Sequence, residues 1–202
     1  MPAHLQRKYT LEEYFALERS SHERYEYWNG EVFCMSGVSE NHALIETNLI
    51  TLLNNKLRGR GCRVFPANMR LKVPSLPPYR YADLSALCSR PTFEKIGGVD
   101  VLMNSTLIVE VLSESTEAYD RGDKFTYYKS IPSFKEYLLV AQHRSHLTQY
   151  VKQDDGSWRY GEVNEMSARL YLPSVDCGLE LHEVYQDVIF PTAPLLNIQR
   201  PS

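Results

Sequence analysis

At 202 residues, with 43% hydrophobic and 23% charged residues, the chain has the composition and size of one soluble globular domain spanning 1–202, which excludes a disordered or fibrous protein. No stretch approaches the ~20 apolar residues of a membrane span, and the polar start MPAHLQRKYT lacks the apolar core of a secretory signal, so a cytoplasmic location with no membrane partner is expected. The net charge of −3 argues by itself against a polyanion binder, yet positions 47–82 contain no acidic residue and seven basic ones: Lys56, Arg58, Arg60, Arg63, Arg70, Lys72 and Arg80. The remainder of the chain therefore carries −10. Such a stripe can follow a phosphate backbone; it can equally be a solvated helix end and loop. The cysteines Cys34, Cys62, Cys88 and Cys177 contain no C-x-x-C pair and so no zinc spacing, and without an export signal reduced, buried thiols are expected.

In chain order, Thr10-Leu-Glu-Glu13 is a capping-box pattern that starts a short helix reaching about residue 18. RYEYWNGEVFCM follows, two alternating runs around Asn29-Gly30, a strong hairpin signal because both turn residues tolerate positive φ. That turn sets Trp28 opposite Glu31 and Glu26 opposite Phe33, so two glutamates share a side with two large aromatics. Whether that side or the Tyr25, Tyr27, Val32 and Cys34 side is buried is left open by the pattern. Ser39 caps a predicted helix over 40–58 with Ile45, Leu49, Leu52 and Leu53 as its apolar stripe, Gly59 and Gly61 at its end, and His42 and Glu46 at the edge of the stripe. Strand-like runs come next at 63–73, 80–88 and 106–112, then a helix over 120–130 stopped by Ile131-Pro132, and a buried strand over 136–141. Strands over 146–152 and 158–163 flank the turn Asp154-Asp155-Gly156, and the tail reads as an edge strand and a last short helix near 182–186. This order indicates an α/β fold with a mixed central sheet flanked by helices and a β-hairpin at the amino end.

Two acidic residues interrupt apolar strands: Asp83 in RYADLSAL, read as mid-strand, and Glu110 in STLIVEVLS. A desolvated carboxylate is expensive, so such residues are paired, bind a cation, or lie on a wet edge. Asp120, Lys124 and Tyr127 or Tyr128 share a helix face that Ile131 extends toward the core, an unusual setting for a lysine; Asp120 reads as a helix cap or ion-pair partner.

The runs YTLEEYFAL, RYEYWNGEVFCMSGVSENH, YADLSAL, LIVEVLSEST, DRGDKFTYYKSIPSFKEYLLV and LPSVDCGLELHEVY, in this order, resemble the Uma-type family of the PD-(D/E)XK, or restriction-endonuclease-like, superfamily. The resemblance covers positions 8–185. It implies a strand aspartate at Asp83 and a second-strand glutamate at Glu110. Ala82 replaces the superfamily's proline, and Leu112 stands where its lysine would fall; Lys124 matches a variant in which that lysine has moved to the following helix. The resemblance further implies Mg²⁺, with Mn²⁺ able to substitute, held by Asp83, Glu110 and the carbonyl of Val111, and DNA as the partner. Glu31 and His42, with Glu46 and Glu26 behind them, are candidates for a further carboxylate or proton handler. Cutting both strands of a duplex would ask for a homodimer. The competing reading is a non-catalytic DNA- or partner-binding module on the same fold, which need not keep Asp83, Glu110 and Lys124 together.

Overall fold

The computed structural model describes residues 8–21, 23–28, 30–35, 37–75, 77–96 and 98–191, with Trp28 described in its backbone alone. The Thr10 capping box forms, its side chain accepting from the Glu13 N–H while the Glu13 carboxylate accepts from the Thr10 N–H, and it opens α1 (Leu11–Ser20). The hairpin β1 (Tyr25–Trp28) and β2 (Glu31–Cys34) keeps the expected register, Glu26 opposite Phe33 and Trp28 opposite Glu31. Gly30 turns with φ +82°, while Asn29 lies outside the described residues. Tyr25, Tyr27 and Val32 pack against a satellite core of Tyr14, Tyr79, Tyr81 and Val101, whereas Phe33 is exposed; yet Glu26, on the Phe33 side, is buried and Cys34, on the other, is exposed, so neither side of the ribbon is covered along its whole length. Ser39 caps α2 (Glu40–Leu57) by accepting from the His42 N–H, and Ile45, Leu49, Leu53 and Leu57 form its buried stripe.

Each of the next two long runs breaks in two. The first gives β3 (Arg63–Pro66) and β4 (Arg70–Lys72), the second β5 (Tyr79–Tyr81) and β6 (Leu84–Leu87). β3 and β6 pair in one sheet, β4 and β5 in another, so both runs change sheets together. The hairpin β7 (Phe93–Ile96) and β8 (Val99–Leu102) was not anticipated, although Gly97-Gly98 between two strand-like runs carried the signal. After β9 (Leu107–Leu112) a helical crossover consists of α3 (Glu117–Tyr119), a π-helical turn (Asp120–Lys124) and α4 (Phe125–Tyr128). The chain then runs through β10 (Glu136–Ala141), β11 (Leu147–Lys152), β12 (Trp158–Val163), the hairpin β13 (Arg169–Leu172) and β14 (Cys177–Glu180), and α5 (Leu181–Val184).

The central sheet has the order β12-β11-β10-β9-β6-β3, with β9 and β10 parallel and the other neighbours antiparallel. The expected mixed sheet flanked by helices is therefore present; a parallel pair needs a crossover, and here the crossover carries Lys124. Alternation along β9 sends Leu107, Val109 and Val111 into the core shared with α2 and α5, and Ile108 and Leu112 into the core shared with α4. Glu110 belongs to the α4 face. The second sheet, β5-β4-β8-β7, packs beyond the point where the runs change over. No helix among the described residues is long and apolar enough to cross a membrane.

One expectation is corrected, and one open alternative is narrowed. Cys62 and Cys88 form a disulfide instead of remaining thiols, because the β3–β6 register, with Arg63 opposite Leu87, brings the next pair of residues face to face. Cys177 is buried and Cys34 exposed. The basic stripe is partly neutralised: Lys56 pairs with Glu183 at 2.9 Å, Arg60 with Asp176 at 2.7 Å, Lys72 with Glu94 at 2.9 Å, and Arg70 with Glu18, while Arg58 and Arg63 are exposed. Arg80 is 2% exposed, donates to the Pro77 and Tyr79 carbonyls and lies over the Tyr127 ring. Acidic residues distant in sequence thus pair with four of the stripe's seven charges.

The disulfide closes a loop between cysteines 26 residues apart. Chain-entropy arguments value a loop of that size at about 3.5 kcal/mol. Reduction with dithiothreitol, or Cys62→Ser with Cys88→Ser, should lower stability by roughly that amount in guanidinium unfolding. An unchanged midpoint would show that the bridge contributes nothing.

Candidate active site

The changeover between sheets creates the site. Because the β6–β9 ladder ends at Leu84 opposite Val109, Asp83 stands just beyond it, at a strand break and not in mid-strand as the alternation predicted. Its freed N–H donates to Glu110 Oε2 at 3.3 Å, and the Val111 N–H donates to Asp83 Oδ2 at 2.7 Å. Each carboxylate is thus tied to the other residue's segment, and both are fixed by backbone.

Around this pair lies a cavity of about 340 Å³. Lys124 enters it from the crossover, its Nζ 3.0 Å from Glu110 Oε1, 3.3 Å from Asp120 Oδ1 and 4.0 Å from Glu26 Oε1. The Tyr128 hydroxyl reaches Glu110 Oε1 at 2.8 Å and the Tyr81 carbonyl at 3.2 Å; its one proton can serve only one of them at a time, and the shorter contact is to Glu110. Glu26 Oε1 accepts from the Tyr81 N–H at 3.2 Å, which ties the amino-terminal hairpin to the sheet. From α2, His42 Nε2 approaches Asp83 Oδ1 at 3.4 Å without the direction of a hydrogen bond, and Glu46 lines the wall one turn on. Arg24 lines the cavity as well and is held by a 2.6 Å bond to the Ala67 carbonyl.

Of the residues singled out in the sequence, Asp83, Glu110, Val111, Lys124, His42, Glu46 and Glu26 meet in this cavity. Glu31 does not. It sits beside the turn at the tip of the hairpin, paired with Lys8 at 2.9 Å, while Glu26 stands nearer the root where the ribbon joins the sheet. Asp120 is an ion-pair partner, as its spacing to Lys124 indicated. Arg24, Tyr81 and Tyr119 had no sequence signal, since only long-range packing brings them in.

The electrostatics separate the two central carboxylates. Burial pushes Asp83 up, but His42, Lys124 and the Val111 N–H together outweigh it and hold the carboxyl below its ordinary value. Burial pushes Glu110 well up, and Asp120, Asp83 and Glu26 add to it against the opposing pull of Lys124. For Lys124, burial alone would favour the neutral amine; Glu110, Glu26, Asp120 and Asp83 reverse that and keep it charged. Burial likewise opposes charging of His42, and Asp83 more than compensates. Glu46 is raised, first by burial and then by Asp83.

Five carboxylates, Glu26, Glu46, Asp83, Glu110 and Asp120, thus face Lys124 and Arg24 with His42 beside them. No group of three or more His, Cys, Asp or Glu side chains among the described residues is arranged to hold a metal by itself. Mg²⁺, however, takes one or two carboxylates and completes its shell with water and substrate oxygens. Asp83 and Glu110 are such a pair, and the surplus of negative charge favours a cation there.

A mixed sheet whose crossover helix delivers a lysine to a glutamate on one strand, beside an aspartate at the start of the neighbouring one, defines a protein of the restriction-endonuclease-like class. The fold is shared with a crystal structure described as "a putative nuclease belonging to DUF820" from Anabaena variabilis ATCC 29413, at a TM-score of 0.68 and 17% identity over 87% of this chain and 97% of that one. Residues 11–183 match Uma2, described as "Putative restriction endonuclease", and the chain belongs to that family. It is 34% identical over 183 residues to the uncharacterized protein slr1290 of Synechocystis sp., covering 91% of this chain and 94% of the relative. To the uncharacterized protein sll1609 of the same organism it is 32% identical over 161 residues, covering 80% and 90%.

The opposite shifts of the two carboxyls predict opposite effects on stability without metal. Asp83, with its lowered folded value, contributes stability above the ordinary carboxylate range that is lost as pH falls through that folded value. Glu110, with its raised value, costs stability increasingly as pH rises above the ordinary range. In EDTA at pH 7, Asp83→Asn should lose roughly 1–3 kcal/mol, the scale of a hydrogen bond to a charged group. Glu110→Gln should melt higher than the unsubstituted protein. Thermal melts that shift both variants in the same direction would refute the division.

Proposed function

We propose that this chain is a metal-dependent DNA endonuclease that hydrolyses phosphodiester bonds in the cavity around Asp83 and Glu110. One observation carries the reading: the Lys124 ammonium lies 3.0 Å from Glu110, itself bonded to the Asp83 backbone, although the three residues come from separate elements. Asp83, Glu110 and the carbonyl of Val111 would hold Mg²⁺, or Mn²⁺ in its place. When bound, the ion would supply a Lewis acid that offsets the negative charge of a phosphodiester.

The chain's own groups account for the rest. The Asp83 carboxyl, held below its ordinary value, is ionised at neutral pH and ready to ligate. Lys124 presents a permanent positive charge beside the position where a phosphoryl oxygen gains charge, and it can orient an attacking water by donating to it. His42, 3.4 Å from Asp83, stands where a proton could be taken up at Nε2. Arg24 spends one bond on the Ala67 carbonyl and keeps its other donors for a phosphate. With most of the sequence's basic stripe committed to ion pairs, Arg24 is the cation best placed to receive the DNA strand. The alternative, a non-catalytic binding module, draws on one observation: among the described residues no set of three ligating side chains surrounds a common point.

Incubation with supercoiled and branched DNA separates the two readings. Cleavage is expected with Mg²⁺ or Mn²⁺ and none with EDTA. Asp83→Asn and Glu110→Gln should abolish both cleavage and the rise in melting temperature on adding Mn²⁺. Lys124→Ala should lose about 100-fold or more in rate, the scale of one electrostatic donor, while keeping the Mn²⁺-induced rise. Unimpaired cleavage by Asp83→Asn, or cleavage in EDTA, would end the proposal.

Binding measured in Ca²⁺ tests Arg24 separately. Arg24→Ala should reduce the slope of log affinity against log salt by about one, the signature of one lost phosphate contact. An unchanged slope would place the strand elsewhere.

A further inference from the structure

Three carboxylates from three elements converge on the Lys124 ammonium, but the metal reading uses only Glu110. Asp120 and Glu26 contact the lysine at 3.3 and 4.0 Å, and no hydrogen bond or ion pair joins either to Asp83. We propose that Asp120 and Glu26 are positioning residues that hold the Lys124 ammonium against Glu110, and that the π-helical turn, fastened by Tyr137, sets the register that lets them do so. The inference rests on reading Lys124 as the catalytic lysine and names what aims it.

The need for such a device follows from the route the lysine takes. At position 112 a lysine would share a strand face with Glu110, and the backbone itself would deliver it. From the crossover it arrives on a four-carbon stem with about 2 kcal/mol of rotamer entropy. A donor that wanders by an ångström loses most of its value in a transition state. Fixed counter-charges on two sides of the ammonium remove that freedom.

The turn supplies the angle. Each residue of an α-helix advances about 100° around the axis, so the extra residue of a π turn swings everything after it by a similar amount. Here that swing accommodates Lys124 in the cavity and Phe125 in the core. The Asp120 carbonyl, at the first residue of the turn, accepts from the buried Tyr137 hydroxyl at 2.9 Å, while the Tyr137 ring stacks on Phe125 with centroids 4.9 Å apart. One side chain of β10 therefore grips both ends of the turn. The two carboxylates are themselves fixed. Asp120 Oδ1 is fully buried with no directed hydrogen bond, so its interaction with Lys124 is one of charge, and Glu26 is pinned by the Tyr81 N–H at 3.2 Å.

The test compares the unsubstituted protein with Glu26→Gln, Asp120→Asn, Asp120→Glu and Tyr137→Phe. Asp123→Asn is the control, an exposed residue of the same turn with the same change in charge. The first readout is the side-chain ammonium signal of Lys124 in protein carrying ¹⁵N-labelled lysine, assigned by its loss in Lys124→Arg. It should be visible in the unsubstituted protein and the control, be displaced or broadened away in Glu26→Gln, Asp120→Asn and Tyr137→Phe, and return in part in Asp120→Glu. The second readout is DNA cleavage in Mn²⁺. Asp120→Asn and Glu26→Gln should lose about 10- to 100-fold in kcat, the usual effect of removing an outer-shell partner, with KM unchanged and partial recovery in Asp120→Glu. Should Asp120→Asn fail to fold, Glu26→Gln, isosteric and on a separate element, carries the same comparison. An ammonium signal and a kcat that persist unchanged in both neutralised variants would overturn the proposal. Absence of cleavage by the unsubstituted protein would remove the nuclease reading instead, and the ammonium signal alone would then decide: its loss in both variants supports the positioning role, its persistence in both refutes it.

Discussion

The ion pair between Lys124 and Glu110 is the interaction on which the rest of the site depends. Glu110, Asp120 and Glu26 are all nearly inaccessible to water, and the Lys124 ammonium is the cation on which these three crowded acidic side chains converge. The ammonium permits them to be there, and they in turn keep it charged. That mutual dependence joins the amino-terminal hairpin, the central sheet and the helical crossover at one point. Removing the cation of such a cluster strands the acids around it, whereas the intact set gains specificity of arrangement from the same low dielectric that makes it costly.

Around that point the architecture follows from strands that refuse to stay in one sheet. β3 and β6 pair in the central sheet, then β4 and β5 continue the same two runs in the second sheet. At the changeover the ladder stops, and a backbone N–H that would have bonded a neighbouring strand turns to Glu110. The opposite end of the β3–β6 ribbon is closed by the Cys62–Cys88 disulfide. The ribbon is therefore clamped at one end and splayed at the other, and Asp83 occupies the splay. An aspartate held this way needs no flexible loop to reach its partner, which suits the ligand role proposed for it.

Charge bears on the substrate in a way composition conceals. A segment of seven basic residues is largely consumed by Glu183, Asp176, Glu18 and Glu94, all from other parts of the chain. The field a polyanion would meet is set by the cavity and its rim, where five acids surround two cations. Such a site repels a bare phosphodiester and attracts a divalent cation, so metal and substrate would bind cooperatively. Family and fold define the class; the disposition of Arg24, Lys124 and the carboxylates is what the proposed chemistry rests on.

Local signals were legible because their physics is local. The Thr10 capping box, the hairpin register through Glu26 and Phe33, and the bounds of β10 and β12 depend on residues within a few positions of one another, and periodicity reports them directly. Asp83 and Glu110 were conspicuous as carboxylates inside apolar runs, and Lys124 was reached through resemblance and helical spacing. The remainder needed pairings across long stretches of chain. Alternation placed Asp83 within a strand, since nothing nearby announces that β6 begins after it. Hairpin register put Glu26 and Glu31 on one side of the ribbon without telling root from tip, and only the packing of that ribbon against Tyr81 draws Glu26 inward and leaves Glu31 beside Lys8. Cys62 and Cys88 looked unrelated until β3 met β6. The sequence alone thus determined which residues had chemical potential and how each segment would fold on itself; which of them share a cavity was decided by the tertiary structure, because ladder register, sheet changeover and burial are set by partners that lie tens of residues away.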